Sequence, residues 1–173
     1  MKRFLLAVAA ALLVSSTALG QDMPLSQILI DGERWKKVEN PGARPEPSPA
    51  ERIAYSPDRS TMFVALPISA AFLQAAPKQA DGGYGPFSSY APLRTRRGER
   101  RIAVTGLAVD KDGRIYAATE IGVQVFDPTG RLCGVLTLAA PGKPEFLVFE
   151  KDQLTVWIGE TKYARKLRTE GVK

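Results

Sequence analysis

The chain has 173 residues, with 24 Lys and Arg against 18 Asp and Glu, and a formal net charge of +6. It has no histidine and a single cysteine, Cys133, which excludes Ser-His-Asp and Cys-His catalysis, the usual zinc sites and an internal disulfide. Any metal would need oxygen ligands, which suits calcium or magnesium.

The first twenty residues have the pattern of a signal peptide. Lys2 and Arg3 supply the positive end, the apolar run Phe4–Val14 is too short to span a bilayer, and Thr17–Gly20 ends in small residues. We expect cleavage near Gln21 and export to the periplasm or the extracellular space, with no stable membrane anchor afterwards. An uncleaved anchor is the less favoured alternative, because polar residues follow the apolar run.

Residues 21–50 predict an N-terminal hairpin and a linker. Within Ile28–Val38, Asp31 and Gly32 supply a tight turn and Trp35 a buried anchor on the second strand. Asn40–Pro49 contains four prolines, and because proline cannot donate to a β-ladder, this segment predicts an extended linker rather than a central strand.

Residues 66–101 predict a loop-rich insertion. The alanines of Ala70–Ala76 favour a short helical turn. Further on, five arginines crowd into eight positions: Arg94, Arg96, Arg97, Arg100 and Arg101. Such a run can bind an anionic surface, although a solvated loop is the commoner interpretation. No aromatic residue interleaves the arginines, as a single-strand binder would require for base stacking, so no nucleic-acid partner is expected.

The stretch Thr105–Leu138 predicts four short antiparallel strands. Two turns are marked by Asp112-Gly113 and by Asp127 to Gly130. Apolar residues alternate between the turns, at Leu107, Val109, Ile115, Ala117, Val123, Val125 and Leu132. Because this alternation is the signal of strands and not of helices, the stretch predicts a β-meander, the unit from which one blade of a β-propeller is built.

Two further segments repeat the opening of this blade. Ile53–Asp58 followed by Met62–Ala65 lies 54 residues earlier, and Leu147–Asp152 followed by Leu154–Trp157 lies 40 residues later. Spacings of roughly 40 to 50 residues are typical of propeller blades. The chain is therefore predicted to be all-β, with four-stranded antiparallel propeller-type blades over residues 51–173. An unrelated meander or a two-sheet sandwich is the alternative.

Several motifs carry a resemblance to one protein family. They are Gly122–Asp127 with Gly130–Leu132, Ile30–Glu33, Ser56–Asp58 before Phe63–Ala65, and the closing Lys162–Leu167. Together they resemble the gluconolactonase, regucalcin and luciferin-regenerating-enzyme family. The resemblance implies a six-bladed propeller with a divalent cation, usually Ca²⁺, on its axis, held by a Glu, an Asn and an Asp. The cation would polarise the carbonyl of a sugar lactone, and the Asp would accept a proton from the attacking water.

At the positions that the resemblance assigns to metal ligands, this sequence departs from the family. Thr105 stands where the family has its Asp, and Phe146 stands where it has its Asn. Glu51 aligns either with the family's Glu or with the Asn of a middle blade. Glu51 and Thr105 are therefore the candidate metal ligands, although for Glu51 an exposed side chain after a proline linker is the favoured interpretation.

Length is the second departure, because six blades need roughly 240 residues. This chain supplies about two to three blades, which cannot close a ring and leave strand edges open. It is a shortened relative, a fragment, or a subunit that self-associates through open blade edges. We expect an exported gluconolactonase-like protein with impaired hydrolysis of sugar lactones. The alternatives are a non-catalytic binding or scaffold protein, and a binder of anionic surfaces.

Overall fold

The computed structural model describes residues 23–66 and 71–172. The predicted signal peptide at residues 1–20 lies outside the described residues. Two short 3-10 turns, Leu25–Gln27 and Pro49–Arg52, accompany the strands. The strands are β1 (Lys36–Lys37), β2 (Ile53–Tyr55), β3 (Thr61–Val64), β4 (Phe72–Pro77), β5 (Ser88–Pro92), β6 (Val104–Val109), β7 (Ile115–Thr119), β8 (Gly122–Phe126), β9 (Leu132–Leu136), β10 (Pro144–Glu150), β11 (Gln153–Ile158) and β12 (Thr161–Lys166).

The strands form three antiparallel sheets of four strands each. The first blade is β2-β3-β4-β5, the central blade is β6-β7-β8-β9, and the last blade is β10-β11-β12 with β1 added at its outer edge. The predicted fold class, all-β with propeller-type blades, is confirmed. In the described ranges no helix is long and apolar enough to cross a membrane.

The central blade forms from the stretch that the alternating pattern selects. Ile115 pairs with Phe126 and Val123 with Leu136, so that β7 and β8 lie in the middle of the sheet. Every residue of β7 and β8 is buried, whereas a sheet with one solvated face would bury only alternate residues. All residues of β7 and β8 are buried because the central blade is covered on both faces.

The two faces of the central blade pack into two separate apolar clusters. Ile115 and Ala117 of β7 contact the first blade, in a cluster with Phe63 and Leu73. The alternate residues of β7, Tyr116 and Ala118, contact the last blade. They belong to a cluster with Leu147, Leu154 and Val156. The two-residue period of a strand therefore divides one sequence pattern between two interfaces.

Three of the tight turns share one structural feature, an aspartate whose side chain accepts hydrogen bonds from backbone N–H groups. Asp58 Oδ1 accepts from Ser60 N (3.0 Å), Asp110 Oδ1 from Arg114 N (2.9 Å), and Asp127 Oδ1 from Thr129 N (2.8 Å). Hydrogen bonds from Ser56 and Ser60 lower the pKa of Asp58 from 3.8 to about 2. The pKa of Asp127 is also lowered, because its hydrogen bonds outweigh the opposing effect of desolvation.

The hairpin predicted over Ile28–Val38 is wrong, although its turn is present. Gly32 has a φ of +76° and Glu33 N donates to Ile30 O (3.0 Å). The two arms do not pair, because Lys36 and Lys37 pair instead with Ala164 and Tyr163 of β12. Trp35 is half-buried rather than buried, and its Nε1 donates to Thr137 O (2.8 Å).

The helical turn predicted over Ala70–Ala76 is also wrong. Phe72–Pro77 forms β4, in which Phe63 pairs with Ala75 and Leu73 pairs with Ala91. Alanine is the strongest helix former, but intrinsic propensity is a weak preference, and burial of Leu73 and Ala75 against the central blade overrides it. Segment 66–101 thereby contributes β4 and β5, the two outer strands of the first blade.

The inner strands β2, β6 and β10 lie side by side, with β6 in contact with both of the others. The approach of β10 requires glycine at one position of β6. A Cβ placed on Gly106 would lie 2.9 Å from Leu147 N and 3.0 Å from Leu147 Cβ. These distances are too short for a methyl group, and the nearest atom belongs to the backbone of β10 and has little room to shift.

We predict that Gly106→Ala lowers the free energy of unfolding by about 1–3 kcal/mol, because the methyl group overpacks the contact between the central and last blades. The measurement is urea denaturation with a fixed m-value. Gly83→Ala is the control, since there the Cβ meets only the exposed side chain of Asp81, at 3.2 Å. Equal losses in the two variants would contradict the assigned packing.

Candidate functional site

The strands that surround the propeller axis all begin at one end of the molecule. The inner strands β2, β6 and β10 begin at Ile53, Val104 and Pro144. A connection between blades precedes each of these starts. We call this end the linker end. A cavity of about 260 Å³ opens there between the first and last blades. Its lining consists of Pro47, Ser48, Pro49, Glu51, Arg52, Thr105, Lys143, Glu145 and Phe146.

Both candidate metal ligands line this cavity, but each is already engaged. Glu51 belongs to the 3-10 turn Pro49–Arg52, and its Oε1 accepts the backbone N–H of Ser48 (2.8 Å) in a capping box. The hydroxyl of Thr105 donates to Pro144 O and lies 3.4 Å from Ala118 O. A hydroxyl has one proton, so the proton of Thr105 is committed to a carbonyl of the last blade.

Phe146, where the resemblance expects an amide, has an unusual backbone. Its φ is +53°, and the pairing of β10 with β11 is irregular between Glu145 and Val148. This left-handed conformation is uncommon for a bulky residue and several-fold enriched for Asn. The side chain is 4% exposed, and the guanidinium of Arg44 lies 5.3 Å from the ring centroid. The backbone thus keeps a conformation suited to Asn while the side chain offers no ligand atom.

The second carboxylate of the cavity, Glu145, is held by two cations. Arg44 Nη2 donates to Glu145 Oε2, and Lys143 Nζ lies 3.8 Å from Oε1. Arg44 also lies 3.5 Å from Glu160, through its Nη1. The side chains of Arg44 and Glu145 are 30% and 24% exposed, so this pair is screened less than a surface pair. The linker between β1 and β2 is thereby joined to the last blade.

The residues at the linker end do not fit a Ca²⁺ ion. Calcium takes six to eight oxygen ligands, and the cavity presents one carboxylate bound to a backbone N–H, one paired with cations, and a hydroxyl that donates to a carbonyl. Arg52 and Lys143 also line the cavity, and their charges oppose a cation. Across residues 23–66 and 71–172, no group of three or more acidic or cysteine side chains is placed to hold a metal ion.

A larger cavity of about 640 Å³ adjoins the first, and Thr105 and Lys143 line both. It lies between the central blade and the 137–143 connection, with Ile121, Leu138 and Pro141 in its wall. Arg96 lines it from the arginine-rich loop, and Glu120 lies on the same wall. This cavity is large enough for a small organic molecule.

The five arginines lie in the connection between β5 and β6, and all are exposed. Arg96 Nε lies 4.0 Å from Glu120 Oε1, at the limit of an ion pair. The base of the loop is fixed by the buried side chain of Gln124, which accepts from Arg94 N (2.8 Å) and donates to Arg94 O (2.9 Å). The guanidinium groups therefore project from an anchored loop.

The sequence did not single out Arg44, Lys143 and Glu145 as residues of the site. Arg44 lies in a segment whose prolines indicate only a linker, 101 residues from Glu145. No local pattern connects the two, because β1 must first pair with β12 for the linker to pass over the last blade.

We predict that Arg44→Met lowers the free energy of unfolding by about 1–2 kcal/mol, because Glu145 loses its nearest cation while it stays mostly buried. The matched control is Lys143→Met, which removes a 65%-exposed cation 3.8 Å from the same carboxylate and should change stability by less than about 0.5 kcal/mol. Urea denaturation of both variants measures the difference. A larger loss of stability in Lys143→Met than in Arg44→Met would show that Arg44 is not the main partner of Glu145.

Solved structures similar to this chain include three proteins. A gluconolactonase from Xanthomonas campestris is 25% identical, with a TM-score of 0.55 over 66% of this chain and 36% of that one. Luciferin-regenerating enzyme is 13% identical, with a TM-score of 0.53 over 70% and 47%. Regucalcin from Agrobacterium tumefaciens, a calcium-binding protein, is 20% identical, with a TM-score of 0.50 over 70% and 46%.

The matched part of the chain spans less than half the length of each of these proteins. No protein-family model matches the chain, and no curated protein does so either. The structural neighbours are nevertheless those that the sequence motifs indicate. The resemblance to the gluconolactonase, regucalcin and luciferin-regenerating-enzyme family is therefore confirmed at the level of the fold, and the described residues form three blades of that type of β-propeller.

Proposed function

We propose that this chain is an exported, gluconolactonase-like β-propeller protein that binds a small ligand at its linker end and does not hydrolyse lactones. The signal-peptide pattern of residues 1–20 supports export to the periplasm or the extracellular space. The neighbouring gluconolactonase structure supports a sugar lactone or a similar small polar molecule as the ligand.

One observation supports the loss of hydrolysis: Thr105 stands at the position that the resemblance assigns to the family's base, and its hydroxyl donates to Pro144 O. A threonine hydroxyl cannot accept a proton from water near neutral pH. The nearby carboxylate of Glu145 does not replace it, because Arg44 and Lys143 occupy its oxygens. Of the two carboxylates that line the described cavity, Glu145 is paired with cations and Glu51 accepts the N–H of Ser48, so both are engaged in other contacts.

The larger cavity supports ligand binding independently of catalysis. Its volume of about 640 Å³ lies within the usual range for sites of small molecules. Arg96 and Lys143 can donate hydrogen bonds to the oxygens of a polar ligand, and the wall formed by Ile121, Leu138 and Pro141 can cover an apolar part of it. The gluconolactonase-like blades would then serve as a scaffold for recognition.

The test is gluconolactone turnover with and without Ca²⁺. We expect the rate to equal the uncatalysed background in both conditions and the Tm to be unchanged by Ca²⁺, because a cation that binds only the folded state would raise the Tm. Glu51→Gln should behave like the starting protein, as should Glu46→Gln, the control in the same linker. Ca²⁺-dependent turnover that Glu51→Gln abolishes and Glu46→Gln retains would refute the proposal.

A second candidate function is binding to an anionic surface through the arginine-rich loop. The observation in its favour is the anchored loop: Gln124 fixes Arg94, and Arg94, Arg96, Arg97, Arg100 and Arg101 are all exposed. Guanidinium groups bind sulfates and phosphates bidentately, so a fixed cluster of them suits a polyanion.

We expect retention on heparin that falls with salt and is lost in Arg96→Ala/Arg97→Ala, because two of the clustered charges are removed. Lys36→Ala/Lys37→Ala is the charge-matched control, since both lysines are exposed and lie on β1, outside the loop. Heparin chromatography over a salt gradient makes the comparison. Lack of retention, or equal losses in the two double variants, would exclude this role for the loop.

A further inference from the structure

A third cavity, of about 600 Å³, lies beside the outer strands of the central and last blades. Three parts of the chain line it: residues 29–35, which precede β1, the connection at 137–139, which follows β9, and Arg165 of β12. We call this cavity the outer cleft. Its volume lies within the usual range for sites of small molecules.

The apolar lining of the outer cleft is held in place by the core. Trp35 Nε1 donates to Thr137 O (2.8 Å), which joins the segment before β1 to the connection after β9. Trp35, Leu29 and Leu138 also pack against the buried cluster between the central and last blades. The cleft therefore offers an indole ring and two aliphatic side chains whose positions are fixed.

Arg165 brings to the outer cleft a guanidinium that has no polar partner. Within the part of the chain that the structure describes, its side chain makes no hydrogen bond and no ion pair, and its Nε is buried. Neither Nη atom is buried in this way. Desolvation lowers the pKa of Arg165, while Glu33 opposes the shift and Arg34 adds to it. A desolvated cation without a partner costs free energy, and an anion bound beside it would offset that cost.

The other charges of the outer cleft restrict the charge of its ligand. Glu33 accepts a hydrogen bond from Lys36 Nζ (3.0 Å), so part of its charge is balanced. Asp31 and Arg34 are exposed, and solvent screens both. The two carboxylates repel a doubly charged anion twice as strongly as a singly charged one. A monocarboxylate is therefore favoured over a phosphate.

We propose that the outer cleft binds a small organic monocarboxylate. Its carboxylate accepts hydrogen bonds from the two Nη groups of Arg165, because the planar guanidinium presents donors that match both carboxylate oxygens. The rest of the molecule is an aromatic ring or a short aliphatic group, which packs against Trp35, Leu29 and Leu138.

The outer cleft is a different site from the larger cavity of the linker end, although residues 137–139 line both. Arg96 lines only the larger cavity, and Arg165 lines only the outer cleft. Substitution of one arginine at a time therefore shows which cavity holds an anion. The inference does not depend on the ligand or on the loss of hydrolysis proposed above.

The test is a fluorine NMR titration of para-fluorobenzoate with the protein. We expect saturable binding with a Kd of about 1 mM or lower, displacement by benzoate, and no displacement by benzamide, which has the same shape but no charge. Arg165→Met should raise the Kd at least about tenfold, because the charged hydrogen bonds are lost.

Two arginine variants are the controls, and both should leave the Kd unchanged. Arg168→Met removes an exposed guanidinium three residues further along the chain, outside the cleft. Arg96→Met removes the guanidinium of the larger cavity. Circular dichroism checks that each variant is folded. If Arg165→Met does not fold, Arg165→Lys takes its place, with a loss of about tenfold expected because lysine lacks the paired donors.

Three results would overturn the proposal. The first is the absence of binding at about 10 mM para-fluorobenzoate. The second is binding that Arg96→Met abolishes and the Arg165 variant retains, because the anion would then lie in the larger cavity. The third is displacement by inorganic phosphate as effective as that by benzoate, since the cleft would then select charge rather than a carboxylate.

Discussion

The structure depends on the close packing of β6 between β2 and β10. Because Gly106 has no side chain, the backbone of β10 can approach β6 at Leu147. This contact brings the last blade against one face of the central blade while the first blade covers the other. The central blade is therefore the core of the molecule, with one outer blade packed on each of its faces.

Three buried polar side chains beside this core, Asp110, Arg114 and Tyr116, are tolerated because they bind one another. Asp110, 0% exposed, lies 3.4 Å from Arg114 Nη1 and accepts a hydrogen bond from Tyr116 Oη (2.9 Å). Desolvation, together with the charge of Asp110, raises the pKa of Tyr116, so that it remains a hydrogen-bond donor. Arg114 Nη2 also donates to Gln27 Oε1 (2.8 Å). This network holds the N-terminal segment against the turn that connects β6 and β7.

At the linker end, the polar side chains are engaged inside the protein. Phe146 has a left-handed backbone, and the pairing of β6 with β7 is irregular near Thr105, whose hydroxyl donates to Pro144 O. Arg44 and Lys143 neutralise Glu145, and Glu51 Oε1 accepts the N–H of Ser48.

The sequence by itself determined the central blade, because the alternation of apolar residues and the turns at Asp112-Gly113 and Asp127 to Gly130 are local signals that need no other part of the chain. The family resemblance led us to expect Glu51 and Thr105 at a common metal site, and the structure places both, with Phe146, in the lining of one cavity. It did not determine that Lys36–Lys37 completes the last blade or that Phe72–Pro77 is a strand, since pairing with β12 and burial against the central blade decide both. The contact of Arg44 with Glu145 was likewise decided only by tertiary structure, because 101 residues separate the two and only the folded sheets bring their charges together.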